Sequence, residues 1–263
     1  MLFINPQWQG SGLTDELSLG VETLKEYFNN SDFTEIPLST KKCASSNNIV
    51  CFQPILEQIK YFRDLVSERK PPRISTIGGD CGIEIIPISY LNKIYQKDIC
   101  VIWLDSHADL NTPETSPSKC FHGMPVRTLL NEGNKQIKEL LFSSLEPEQI
   151  CFVGLRDLDV AERDYISKYK MASFSKPAFE EIRAVLDNFK YVYIHLDLEV
   201  LDETEYPHTL FPSSNGLLID EVEQLLRDLK KNSRVVGFGI TESTATSLEQ
   251  ISRIRPILNH VIL

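Results

Sequence analysis

The sequence predicts an α/β protein whose mostly parallel sheet carries helices on both faces. Two observations support this. Apolar, strand-like runs alternate with amphipathic stretches along the chain, the rhythm of β-α-β units. Acids, His and Cys collect immediately after the strand-like runs, where parallel sheets gather functional groups. In order, the predicted strands are Leu2–Asn5, Arg73–Ile77, Ile99–Leu104, Ile150–Gly154, Tyr191–Leu196 and Val235–Ile240. Each is a short run rich in apolar, β-branched or aromatic residues. Between them, helical patterns cover roughly Leu13–Phe28, Pro54–Glu68, Glu84–Tyr95, Pro125–Glu132, Pro177–Asn188, Ile219–Lys230 and Leu248–Leu258. Val222, Leu225, Leu226 and Leu229 show the i, i+3, i+4, i+7 spacing of one helix face most plainly. The polar stretch Asn111–Cys120, with two prolines, reads as a loop.

At 263 residues and 42% hydrophobic, the chain is long enough to bury a large core. There is no internal repeat and no Gly/Ser-rich linker, so a single domain over 1–263 is expected. The formal net charge of -10 argues against nucleic acid and suits a small cationic partner. No apolar run reaches the about 18 residues of a membrane span. The first residues, MLFINPQWQG, lack a secretory pattern, and a cytoplasmic protein is expected. Cys43, Cys51, Cys81, Cys100, Cys120 and Cys151 are scattered without a short-domain framework and are expected to be mostly reduced.

The most informative stretch is Val101–Thr112, where an apolar run ends in Asp105-x-His107-x-Asp109. If the strand persists, alternation puts all three side chains on one side, a ready divalent-metal site. Comparable strand ends carry Gly78-Gly79-Asp80-Cys81, Asp157 with Asp159, Asp197 with Glu199, and Glu242. Core packing explains five such ends poorly. Gly78-Gly79 lacks the neighbours of a phosphate-binding loop. Asp157 follows Arg156 and is expected to pair with it. His195 shares a strand face with Asp197 and is read as packing, with a supporting role to the site as the alternative.

With these residues in view, the chain resembles the arginase/agmatinase family of ureohydrolases. The likeness runs from about Arg73 to the C-terminus through IGGDC (77–81), LDSHADLNTPETSPSKCFHGMP (104–125), VGLRDLD (153–159), HLDLEVLD (195–202) and GFGITES (237–243). The resemblance implies a three-layer α/β/α sandwich, a binuclear metal centre, usually two Mn²⁺, and hydrolysis of a guanidino or formimino group. Carried over, the metal ligands are Cys81, Asp105, His107, Asp109, Asp197 and Glu199, with Asp105 and Asp197 bridging. Asp109 would also orient the attacking water, His122 would shuttle a proton, and Glu242 would pair with the substrate's cationic end. Asn111 and Ser118 match positions that contact a substrate carboxylate; Asp159 and Glu162 match positions near an α-amino group.

Two positions depart from the family pattern: Cys81 replaces a His and Glu199 replaces an Asp. Thiolate is softer than imidazole and shifts preference from Mn²⁺ toward Fe²⁺, Co²⁺ or Zn²⁺. A family branch with GGDC includes hydrolases of Nω-hydroxy-arginine, and this chain looks like that branch. Cys120 and Phe211 also stand where arginases place polar groups. The expected function is therefore metal-dependent hydrolysis of a guanidino C–N bond in an arginine- or Nω-hydroxy-arginine-type substrate. A non-catalytic arginase-like protein and a hydrolase of formimino or acetylamino bonds stay open. The expected partner is a small molecule, with neither nucleic acid nor membrane, and a homo-oligomer is compatible with the family.

Overall fold

The computed structural model describes residues 1–12 and 14–263. Among the described residues eight strands form one sheet: β1 (Leu2–Asn5), β2 (Phe33–Glu35), β3 (Ile74–Gly78), β4 (Ile99–Leu104), β5 (Ile150–Val153), β6 (Ala172–Phe174), β7 (Tyr191–Asp197) and β8 (Arg234–Thr241). Their order is β2-β1-β3-β8-β7-β4-β5-β6. Every pairing is parallel. All strands therefore end at the same edge, which becomes the site.

The helices are α1 (Glu16–Tyr27), α2 (Phe52–Arg69), α3 (Ile85–Ile94), α4 (Pro125–Leu129), α5 (Lys135–Lys138), α6 (Val160–Tyr169), α7 (Phe179–Leu186), α8 (Ile219–Asn232) and α9 (Arg255–Leu258). Strand alternation splits the apolar residues into two cores. Phe3, Val101, Trp103, Phe152 and Tyr193 face α2 to α6, while Ile4, Ile102, Leu104, Val153 and Ile194 face α1, α7, α8 and α9. This is the three-layer sandwich that the resemblance implied. The α8 stripe of Val222, Leu225, Leu226 and Leu229 is fully buried, each side chain contributing about 1.5–3 kcal/mol by removal from water.

All six expected strands and seven expected helical regions are present, with shifted ends. The first expected helix began at Leu13, which lies outside the described residues; α1 starts at Glu16. The stretch expected as a helix over Leu248–Leu258 is a 3-10 turn at Gln250–Ile254 followed by α9. Two strands and two helices went unforeseen. β2 and β6 are three-residue edge strands, too short to show alternation. α5 is four residues long. α6 buries only Glu162 and Tyr165, so it has no apolar stripe. Cys43 and Cys51 are joined as a disulfide, while Cys81, Cys100, Cys120 and Cys151 are free. Among the described residues no helix is long and apolar enough to cross a membrane.

Candidate metal centre and its cleft

Three strand ends repeat one local device. Asp80, Asp105 and Asp197 each accept a hydrogen bond from the backbone N–H two residues on, at Gly82 (2.9 Å), His107 (2.8 Å) and Glu199 (2.6 Å). These Asx-type turns stop the strand and fold residue i+2 back over the sheet edge. The convergence of Asp105, His107 and Asp109 therefore comes from a turn, and strand alternation, as expected from the sequence, does not produce it: β4 ends at Leu104. Asp109 takes a left-handed backbone (φ 53°), as does Glu242 (φ 65°). Such a conformation costs a non-glycine residue about 1–3 kcal/mol. At Asp109 it is held by the N–H groups of Val126 and Arg127, which donate to its carbonyl.

At the floor, Cys81, Asp105, His195 and Asp197 offer ligand atoms that all lie within 4.8 Å of one another. All four are buried. Cys81 Sγ donates to Asp197 Oδ2 at 3.0 Å and lies 3.6 Å from His195 Nε2. Beside them, His107 Nδ1 is 3.5 Å from both Asp105 Oδ1 and Glu199 Oε2. Asp109 Oδ2 is buried and finds no hydrogen-bond partner among the described residues. Three of the six expected ligands thus share one tight group; His107, Asp109 and Glu199 line the adjoining cleft.

This cleft encloses about 360 Å³ and is also lined by Asn111, Ser118, His122, Asp157, Asp159, Glu162 and Phe211. Glu242 lies behind that lining, fully buried, with Oε1 accepting from the Cys81 N–H (3.1 Å) and 3.5 Å from His122 Nδ1. Asp159 Oδ2 accepts from Asn111 Nδ2 at 2.8 Å. Glu162 spends both oxygens on backbone, accepting from Leu110 N–H and Asp159 N–H. It holds the rim in shape and caps α6.

The electrostatics are those of acids packed together away from water. Burial, then mutual repulsion, pushes the Asp109 and Asp197 carboxyls well above the usual range. Burial and the neighbouring Glu242 raise Glu199 to about 8; burial also raises Glu242 to about 8. Burial pulls His107 down, but its bond to Asp105 and the charges of Asp105, Glu199 and Asp157 carry it up to about 9. Burial raises the Cys81 thiol, and lowers His122. A bound cation would reverse the carboxylate repulsion.

One sequence expectation is corrected. Arg156 does not pair with Asp157: its guanidinium donates to the carbonyls of Glu199, Val200 and Leu201 and to Ser213, bracing the turn that carries Glu199. Asp157 is exposed and approaches His107 Nε2 at 3.8 Å. His195, read as packing with a supporting role as the alternative, is buried against Trp103 and also stands among the four groups whose ligand atoms lie within 4.8 Å of one another. Its signal was present, since Asp197 follows two residues later on the same strand face. Asp80 also ties the PQWQG segment to the site, accepting from Gln7 Nε2 and Gly10 N–H.

A family model for the arginase family matches residues 15–251, most of the chain. The chain belongs to the arginase family. A Staphylococcus aureus arginase is 36% identical over 177 residues, covering 63% of this chain and 58% of that protein. The chain thus spans somewhat over half the length of that arginase-family relative. A Bacillus subtilis arginase is 27% identical over 244 residues, 87% of this chain and 78% of the relative. In fold, this arginase-family chain is similar to the Entamoeba histolytica arginase solved with L-ornithine (TM-score 0.90, 20% identity, 99% and 97% of the two chains). It is also similar to the Bacillus subtilis formimidoylglutamase (TM-score 0.76, 17% identity, 99% and 85%).

Proposed function

We propose that this protein is a metal-dependent hydrolase of a guanidino C–N bond in a small, cationic, amino-acid-like substrate of the arginine or Nω-hydroxy-arginine type. Residues 1–263 act as one unit in this reading. The observation that carries it is the ligand group Cys81, Asp105, His195 and Asp197 beside His107 and Glu199 at the base of a cleft.

The donor set fits divalent cations. Buried carboxylates of like charge are stable only when protonated or neutralised by a cation. The unpartnered Asp109 Oδ2 adds a free acceptor at the same place. Cys81, Asp105, His107, Asp109, Asp197 and Glu199 would hold two ions, with Mn²⁺, Fe²⁺, Co²⁺ and Zn²⁺ the candidates. Bound ions supply Lewis acidity and a water acidic enough to act as a nucleophile near neutral pH.

The chain's own groups do the rest. Asp109 accepts a hydrogen bond from the attacking water and aims it. Glu242 provides a carboxylate below the cleft for a delocalised cation. His122, kept neutral by burial, takes a proton and returns it to the departing amine. Water and the guanidinium thereby become an amine and urea, or hydroxyurea from a hydroxylated substrate. At the rim, Asn111 and Ser118 serve the carboxylate end and Asp159 the ammonium, with Glu162 fixing Asp159. The acidic lining draws cations inward.

The test is metal analysis of protein purified without chelator, followed by urea and hydroxyurea assays on arginine, Nω-hydroxy-arginine and agmatine. Tight metal with either product supports the reading. Metal-free, inactive protein across supplied Mn²⁺, Fe²⁺, Co²⁺ and Zn²⁺ points to a non-catalytic role. Formamide or acetate release points to a different C–N bond, a reading the apolar Phe211 at the cleft favours.

A further inference from the structure

The tight ligand group contains an imidazole that the family resemblance did not supply. At the position where the family carries His, this chain has Cys81. Across the cluster, on β7, His195 turns Nε2 toward that sulfur at 3.6 Å. The ring is fully buried and stacks on Trp103, with centroids 3.6 Å apart and planes 20° apart. Trp103 Nε1 in turn donates to Asp105 Oδ2 at 3.1 Å. One indole therefore orients both an imidazole and a carboxylate of the group.

The other ring nitrogen has its own counterpart. His195 Nδ1 lies 3.5 Å from Glu84 Oε2, and Glu84 is fully buried. Tyr193 Oη donates to Glu84 Oε2 at 2.7 Å, and a side chain at Gly239 would collide with the Glu84 carboxylate. Glu84 is thus held against the far side of the ring. A core histidine normally satisfies both nitrogens with good hydrogen bonds. Here, among the described residues, Nδ1 has Glu84 Oε2 at 3.5 Å but makes no hydrogen bond, and the contact of Nε2 is a long one to the Cys81 sulfur. A carboxylate behind one nitrogen and ligand atoms before the other is the arrangement of a metal-binding histidine.

We infer that His195 is a metal ligand, returning to the inner ion the imidazole that Cys81 removes, and that Glu84 positions it. The inner ion would then be held by one sulfur, one nitrogen and the carboxylates of Asp105 and Asp197. That set suits Zn²⁺, Fe²⁺ or Co²⁺ better than Mn²⁺. The outer position, with His107 and Glu199, keeps a harder donor set. Cys81 and His195 on this reading are an exchange of donors between β7 and the turn after β3, rather than the loss of one. The inference rests on the proposed metal-dependent function.

The test uses the full chain carrying ¹⁵N-labelled histidine, stripped with chelator and reloaded with ¹¹³Cd²⁺. The expected result is a ¹¹³Cd–¹⁵N coupling at His195 Nε2 and a cadmium signal in the range of sulfur ligation. H195Q should lose the coupling and weaken the first ion more than E84Q does. E84Q should cost about 10–100-fold in affinity, the scale of removing a histidine's supporting carboxylate. If H195Q does not fold, single replacement of His107, His122, His208 and His260 assigns the signal by elimination. Bound cadmium with His195 uncoupled, or an H195Q protein of unchanged affinity, overturns the inference and leaves the proposed function standing. Failure to bind any ion overturns both. Coupling at His195 without C–N hydrolysis overturns only the function.

Discussion

The floor and the rim of the cleft are built by opposite means. The floor groups Cys81, Asp105, His195 and Asp197 are buried, rise from the central strands β3, β4 and β7 or the turns after them, and share partners. The rim is loop and helix N-terminus: Asn111, exposed Ser118, Asp159 and exposed Phe211. Their contacts are short-range or shared with one neighbour, as in the Asn111–Asp159 pair. Where charges are desolvated and mutually constrained, one change disturbs the whole set. At the rim, exposed Ser118 and Phe211 act nearly alone, while buried Asn111 and its partner Asp159 act as one hydrogen-bonded pair. The floor is therefore expected to govern whether chemistry happens, and the rim to govern on what.

The largest effect tests the floor directly. D197N removes a carboxylate common to both halves of the site, and is expected to abolish tight metal binding and turnover together. Elemental analysis and urea release measure both. A variant retaining two ions would break the contrast between floor and rim.

Next is His122, which stands between the two regions. H122N keeps size and polarity but cannot carry the proton. Turnover is expected to fall by about 10²–10⁴-fold with metal content unchanged. A parallel loss of metal would assign His122 to the floor.

The pH dependence of stability is smaller but sharper. Glu199 and Glu242 are raised from 4.5 to about 8, and His107 from 6.5 to about 9. Folded metal-free protein therefore binds more protons than unfolded chain over these ranges, and stability falls as pH rises. The contribution of the two glutamates is fully present below about pH 4.5 and lost as pH passes through about 8. That of His107 is present below about 6.5 and lost through about 9. The melting temperature of chelator-stripped protein should drop between pH 5 and 9, and the stabilisation by added metal should grow over the same window. A flat profile would mean that these acids do not share a dry site.

Smallest are the rim changes. N111A and D159A are each expected to raise KM about tenfold, close to 1.4 kcal/mol, with kcat within about twofold. Steady-state kinetics on arginine and agmatine separate the ends of the substrate: agmatine, without a carboxylate, should feel N111A less than arginine does, through the lost bond to Asp159 alone. A kcat collapse would place the rim in the chemistry.

Much of this was legible from residue order. The apolar runs marked all six longer strands because buried parallel strands must be apolar on both faces. The strand-end acids marked the site because parallel strands deliver their ends to one edge. Illegible were β2 and β6, whose three residues carry no period, and α6, which buries a charged Glu162. Arg156 was misread for another reason: its partners are carbonyls about 44 residues on, and a carbonyl leaves no mark in a sequence.

His195 shows where the boundary lies. Residue order is enough to establish the α/β architecture, the Asp-x-His-x-Asp run, and the paired departures at Cys81 and Glu199. The architecture depends on periodicity along the chain, the run is a local motif, and the two departures are legible only against the arginase-family pattern. Whether His195 is packing or a ligand depends on the turn after β3 bringing Cys81 to it, on Trp103 stacking behind it, and on Glu84 arriving from the 3-10 turn before α3. Those partners come from separate segments and meet only because the sheet brings them into register. The roles of side chains that meet across strands are properties of packing, and folding decides them.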